Sequence, residues 1–158
     1  MSTQDAIILF SHGSVLCGAG ENLREIAERL RAGNRIVEVG YLNYSEPRFE
    51  DAFVRCVEQG ATRVTVVPYF LVAGKFVKVD LPREMERVRA NFPQVEVCMA
   101  EAMKDHNALG EALLDCARRA KPPAEWRNLW NNASRFCRAN PQCPLWNTPR
   151  CPASSSSG

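Results

Sequence analysis

Only two histidines occur in this 158-residue chain, and one of them, His12, stands in Phe10-Ser11-His12-Gly13-Ser14, directly after the apolar run Ile7 to Phe10. Imidazole side chains bind divalent transition metals and exchange protons near neutral pH. A histidine followed by glycine at the end of a first strand suits a ligand or a base, or a hydrogen bond to a neighbouring loop. Asn43-Tyr44-Ser45-Glu46-Pro47 follows the second apolar run. Glu46 there offers a carboxylate for metal binding or proton transfer, while Ser45 or Glu46 before Pro47 also reads as a helix start. A third segment, Val72 to Pro82, carries Gly74, Lys75 and Lys78. Its lysines could hold the carboxylates of an acidic ligand as point charges, or lie in a solvated loop. Asp80, before Leu81-Pro82, reads as the cap of the next helix. His106, after Lys104-Asp105, sits at another helix start, where a structural role comes before a functional one.

These residues need a frame, and the apolar spacing supplies one. Leu23, Ile26, Ala27 and Leu30 recur on one helical face, as do Phe49, Ala52, Phe53, Cys56 and Val57. Leu81, Met85, Val88 and Phe92 line a third helix, starting near Pro82, and Leu109, Ala112, Leu113, Cys116 and Ala117 a fourth. Between them lie apolar runs: Ile36 to Leu42, Val64 to Leu71 and Val95 to Ala100. Strand–helix alternation of this kind predicts an α/β domain over residues 1–120, a four-stranded parallel sheet covered on both faces. Right-handed crossovers bring all strand C-termini to one edge, where ligands of such sheets bind. His12, Glu46 and the lysine-bearing loop all fall on that edge.

Composition narrows the function classes. A formal charge of +2 is too small to argue for nucleic acid, and no apolar run is long enough to span a bilayer. The polar start, Met1 to Asp5, lacks the features of a signal peptide, so a cytoplasmic location is expected. In that compartment the 7 cysteines do not predict a disulfide framework. Cys56, Cys98 and Cys116 sit in apolar patterns and read as buried thiols. Lys121-Pro122-Pro123 marks a hinge to a tail over residues 121–158. That tail opens with a helical stripe of Trp126, Leu129, Trp130, Ala133, Phe136 and Cys137, which needs cover from the domain or a second subunit. Its cysteines, Cys137, Cys143 and Cys151, could hold an iron–sulfur cluster or zinc, with Cys17 or Cys116 completing the set. Their spacing fits no Cys-x-x-Cys pattern, and unpaired thiols on a disordered end are the simpler reading.

Taken together and in order, the motifs resemble the small class II chelatases, the sirohydrochlorin cobaltochelatase family of CbiX type. The likeness rests on Phe10-Ser11-His12-Gly13-Ser14, Tyr41 to Pro47 with its Ser-Glu-Pro ending, Val67-Pro68-Tyr69-Phe70-Leu71 with Gly74 and Asp80-Leu81-Pro82, and His106-Asn107-Ala108-Leu109. It covers about Asp5 to Ala120. The resemblance implies a three-layer chelatase-like fold, pairing as a homodimer, and a tetrapyrrole substrate. The implied reaction is insertion of cobalt, or of nickel or iron, into sirohydrochlorin on the way to cobalamin or sirohaem. It implies a metal site of two histidines, of which His12 is the first; the residues themselves add Glu46 as a second catalytic and metal-binding group, with Ser11, Phe70, Lys75, Phe76 and Lys78 around the substrate. A second histidine is expected between Lys75 and Val77, where this chain has Phe76. Three readings stay open: His12 and Glu46 suffice, a tail cysteine replaces the missing ligand, or the chain is a non-catalytic tetrapyrrole or metal carrier.

Overall fold

A computed structural model describes residues 4–14 and 20–125. Strand β1 (Asp5–Ser11) leads to helix α1 (Glu21–Arg31), β2 (Ile36–Tyr41) to α2 (Phe49–Glu58), and β3 (Arg63–Pro68) to α3 (Leu81–Asn91). β4 (Glu96–Met99) precedes α4 (Leu109–Arg118). The four strands form one parallel sheet in the order β2-β1-β3-β4, as the alternation predicts. No described helix is long and apolar enough to cross a membrane.

Strand alternation sorts the core onto two faces. Ala6, Ile8, Phe10, Val64 and Val66 point toward α2 and α3, where Phe49, Ala52, Phe53, Leu81 and Val88 complete the larger core. Burial of this many aliphatic and aromatic side chains, at about 1.5–3 kcal/mol each, is the main force holding the layers together. Leu9, Val37 and Val39 point the other way and meet Leu23 and Ala27 of α1.

Cover on the α1 side is unequal. Ile7, Thr65 and Cys98 are aligned across β1, β3 and β4, and all three stay half-exposed, as does Val67. α4 buries none of its residues, and Leu113 and Leu114 are 57% and 52% exposed. The fourth helical stripe therefore exists but is unpacked, and Cys116, expected as a buried thiol, is exposed. Cys98 is intermediate, and of the three described cysteines only Cys56 is buried, where desolvation pushes its thiol up to about 12.

Two local expectations are corrected. The third apolar run does not stay in the sheet to Leu71: β3 ends at Pro68, and Leu71 is 54% exposed. Tyr69 N still donates to Phe10 O at 2.7 Å, and Phe70 O then accepts from Met103 N of the loop after β4 at 3.1 Å. Asp80 is not a cap either. A π-helical turn, Phe76–Asp80, runs directly into α3, and Asp80 has helical dihedrals and no side-chain cap bond. Its carboxylate lies 3.9 Å from the Lys75 ammonium instead.

At the C-terminal edge the β1–β2 pairing continues past the strands. Leu42 N donates to Ser11 O at 2.9 Å and Asn43 N to His12 O at 2.8 Å. The next residue, Gly13, has φ +89°, and a Cβ on it would stand 1.7 Å from Asn43 O. Only glycine lets the two loops approach this closely. Gly60 shares the left-handed conformation, with φ +90°, but has nothing within 4 Å of an added Cβ. Gly60→Ala should therefore cost about 1–2 kcal/mol in urea denaturation. Gly13→Ala adds the collision with Asn43 and should lose distinctly more than Gly60→Ala; equal losses would contradict the close approach.

Candidate functional site

The loops after β1 and β2 are joined by side chains as well as backbone. Ser14 N donates to Ser45 Oγ at 3.0 Å, and Ser45 N donates to Asn43 O at 2.7 Å. His12 is thereby fixed at the mouth of the sheet edge, half-buried. Its Nδ1 lies 3.3 Å from Gly13 O. With the proton placed on Nδ1 by that partner, Nε2 presents a lone pair for a metal or a proton.

Aromatic rings flank the imidazole. Phe76 lies 4.3 Å away between centroids, tilted by 41°, and Tyr44 lies 5.5 Å away, edge-on at 61°. Phe76 contacts Phe70 at 6.2 Å, and Phe70 contacts Phe10 of the core at 6.0 Å. The ring series thus runs from the core to the surface and ends at His12. The π turn supports this placement. Val77 and Leu81, four residues apart, are buried, while Phe76 at the start of the turn is 37% exposed. Val77 N and Lys78 N both donate to Gly74 O, at 3.1 and 2.9 Å. One extra residue in the turn keeps α3 in the core and turns Phe76 toward His12; π turns often occur at such sites.

The other expected residues are distributed unequally. Ser11 closes β1 beneath His12, and Phe70 and Phe76 stand in the ring series. Glu46 is exposed on the joined second loop. Its backbone carbonyl accepts from the Arg24 guanidinium at 2.6 Å, and the Glu46–Pro47 peptide is cis. The helix start expected at Ser45 or Glu46 falls at Arg48, whose backbone N–H donates to the Asp51 carboxylate. Lys75 and Lys78 are exposed on the third loop. His106 Nδ1 accepts from Ala108 N at 3.1 Å just ahead of α4, a structural role away from the ring series. Among the described residues no group of three or more His, Cys, Asp and Glu side chains forms a metal cage. Cys17, Cys137, Cys143 and Cys151, and the tail stripe from Trp126 to Cys137, lie outside the described residues.

Tyr44 is the site residue that sequence reasoning passed over. It has φ +60° and is 54% exposed. An aromatic residue between Asn43 and Ser45 was visible, but nothing in the spacing distinguishes a ring turned to His12 from one in solvent.

Comparison with known proteins follows the same outline. The CbiX family model matches residues 6–120. The chain is 35% identical over 99 residues to sirohydrochlorin ferrochelatase of Priestia megaterium, covering 61% of this chain and 37% of that protein. It is 38% identical over 89 residues to sirohydrochlorin cobaltochelatase of Methanocaldococcus jannaschii, covering 55% of this chain and 62% of that protein. It thus spans 37% and 62% of the length of these two curated relatives. Among solved structures, a CbiX protein from Marinobacter aquaeolei VT8 superposes with TM-score 0.63 at 30% identity, over 73% of this chain and 95% of that one. SirB from Bacillus subtilis with Fe3+ superposes with TM-score 0.68 at 28% identity, over 76% of this chain and 49% of that one. The parallel α/β fold and the extent of the family match agree: this chain belongs to the CbiX family, among the class II chelatases that its motifs resemble.

Proposed function

We propose that this chain inserts a divalent metal into sirohydrochlorin, with cobalt as first choice and nickel or iron as alternatives. The observation that carries the reading is a single imidazole, held by joined loops at the open end of the sheet, with two aromatic rings against it. The names of the relatives as sirohydrochlorin chelatases supply the substrate class.

Metallation exchanges two pyrrole N–H protons for one dication. His12 Nε2 first holds the ion through its lone pair from one side of the ring; as the ion passes to the ring nitrogens that lone pair is released and takes one of the two protons, and the other leaves to solvent water. Glu46, on the adjoining loop, offsets the charge of the ion as water leaves it. Lys75 and Lys78 meet the peripheral carboxylates of the substrate. The Lys75–Asp80 pair, with Lys75 76% exposed, is too weakly held to prevent that exchange. Ser11, Phe70 and Phe76 line the ring-shaped substrate. The donor set leaves the choice of metal to supply, because imidazole and carboxylate suit cobalt, nickel and iron alike. The same reading places the protein in the cytoplasm. Iron or zinc on Cys137, Cys143 and Cys151 would be an addition to it, not a part of the insertion step.

Pairing as a homodimer belongs to this reading. The half-covered sheet beside β3 and β4 and the unpacked face of α4 are two apolar surfaces that a second copy could cover. A charge at the centre of α4, Leu113→Glu, should then reduce the solution mass from that of a dimer to that of a monomer in light scattering. An unchanged dimer would remove α4 from the interface.

One observation favours a second reading, a non-catalytic tetrapyrrole carrier: Phe76 occupies the position expected for a second histidine. Insertion kinetics separate the two. His12→Ala should lower the anaerobic metallation rate by at least about 100-fold, and Glu46→Gln by less. Lys75→Ala and Lys78→Ala should raise KM roughly 2- to 5-fold with little change in kcat, because those contacts persist through the reaction. Full activity in His12→Ala would exclude the proposed step.

A further inference from the structure

We infer that this site takes its tetrapyrrole before its metal, and that Tyr44, with Phe76, is the surface that receives the macrocycle. The inference rests on the chelatase reading and assigns it a binding residue and an order.

Tyr44 is an L-residue with a bulky side chain in the left-handed region, at φ +60°. Such a conformation persists only where its surroundings impose it, and it concentrates at functional sites. Here the surroundings are identifiable. Asn43 N is bonded to His12 O and Ser45 N to Asn43 O, while Ser45 Oγ is bonded to Ser14 N. The residues on both sides of Tyr44 are thus tied down, and the conformation brings the ring no burial: it remains 54% exposed, edge-on to His12. Phe76 stands against the same imidazole at 4.3 Å and is 37% exposed. Two exposed rings beside one imidazole form a surface suited to a flat, conjugated ligand, which gains from stacked and edge contacts.

The same arrangement is poor for a free ion. Protein sites that hold a transition metal use three or four protein donors. Phenylalanine has none, and the described residues contain no cage of three donors. His12 supplies one nitrogen. The macrocycle supplies four, so a high-affinity site exists only after the macrocycle is seated over His12. Phe76 sets that order: with Glu46 of the adjoining loop His12 makes two donors at most, and a second imidazole in place of Phe76 would give the ion the third beforehand.

The full chain is titrated anaerobically with Co2+ alone by calorimetry and with sirohydrochlorin alone by fluorescence quenching. Wild type, Tyr44→Leu, Phe76→Leu and Phe76→His are compared, with circular dichroism confirming that each is folded. Sirohydrochlorin should bind the wild type without metal, and Tyr44→Leu and Phe76→Leu should each weaken it by about 3- to 10-fold. Any His12-dependent Co2+ binding by the wild type should be weaker than about 1 mM. Phe76→His should bind Co2+ at least about ten times more tightly, and adding His12→Ala should abolish that gain. Tight Co2+ binding by the wild type that disappears in His12→Ala overturns the order, and unchanged sirohydrochlorin binding in Tyr44→Leu overturns the role of Tyr44. Neither titration requires insertion. Binding as expected without metallation by any metal would remove the chelatase reading and leave this one, whereas metallation unaffected by Tyr44→Leu would do the reverse.

Discussion

The hydrogen bond from Asn43 N to His12 O fixes what the rest of the site can be. It extends the β1–β2 pairing by one step beyond the sheet and makes two loops one rigid edge. That step is possible because Gly13 has no Cβ to collide with Asn43 O. From it follow the position of the His12 ring, the left-handed Tyr44 beside it and the Ser14–Ser45 bond that closes the joint. The sheet contributes by burial. Phe10, one end of the ring series, is wholly buried between β1 and α2 and touches Phe49 edge-to-face at 5.7 Å. The imidazole is thus connected to the core through Phe76, Phe70 and Phe10.

Much of this frame is legible in the sequence because two periodicities state it. Leu23 and Ala27, or Phe49, Ala52, Phe53 and Cys56, fall at helical spacing and are buried where that spacing puts them. The placement of His12, Glu46 and Lys75 on one edge follows from strand direction alone. Periodicity is less informative where apolar residues do something other than fill a core. Tyr69 to Leu71 look like strand, yet they leave the sheet to carry the chain toward the loop after β4. Asp80 before Leu81-Pro82 has the form of a cap, but Val77 and Leu81 are both drawn into the core, and that continues the helix backwards through a π turn. The stripe on α4 says that a face requires cover without saying what covers it. Tyr44 is invisible to any pattern, because its position depends on a backbone dihedral and not on spacing.

Phe76 connects fold and chemistry. The residue keeps the aromatic series continuous from Phe10 to His12, which a polar side chain would interrupt, and it offers no metal donor at the mouth of the site. A packed, apolar second wall and a second metal ligand are alternatives at this position, and the chain has the wall. If insertion proceeds with one imidazole, the macrocycle must supply most of the coordination. The protein then contributes orientation and a proton acceptor, not a preformed metal centre.

The central proposal is that this CbiX-family chain, with Phe76 where its resemblance leads one to expect a second histidine, metallates sirohydrochlorin. Its most direct test is the anaerobic absorption change of sirohydrochlorin with cobalt, nickel or ferrous iron, with and without the wild-type chain. The account predicts faster metallation with protein for at least one of the three metals. A shift of the pigment spectrum on binding, with no acceleration for any metal, would contradict it and leave a carrier on a chelatase frame.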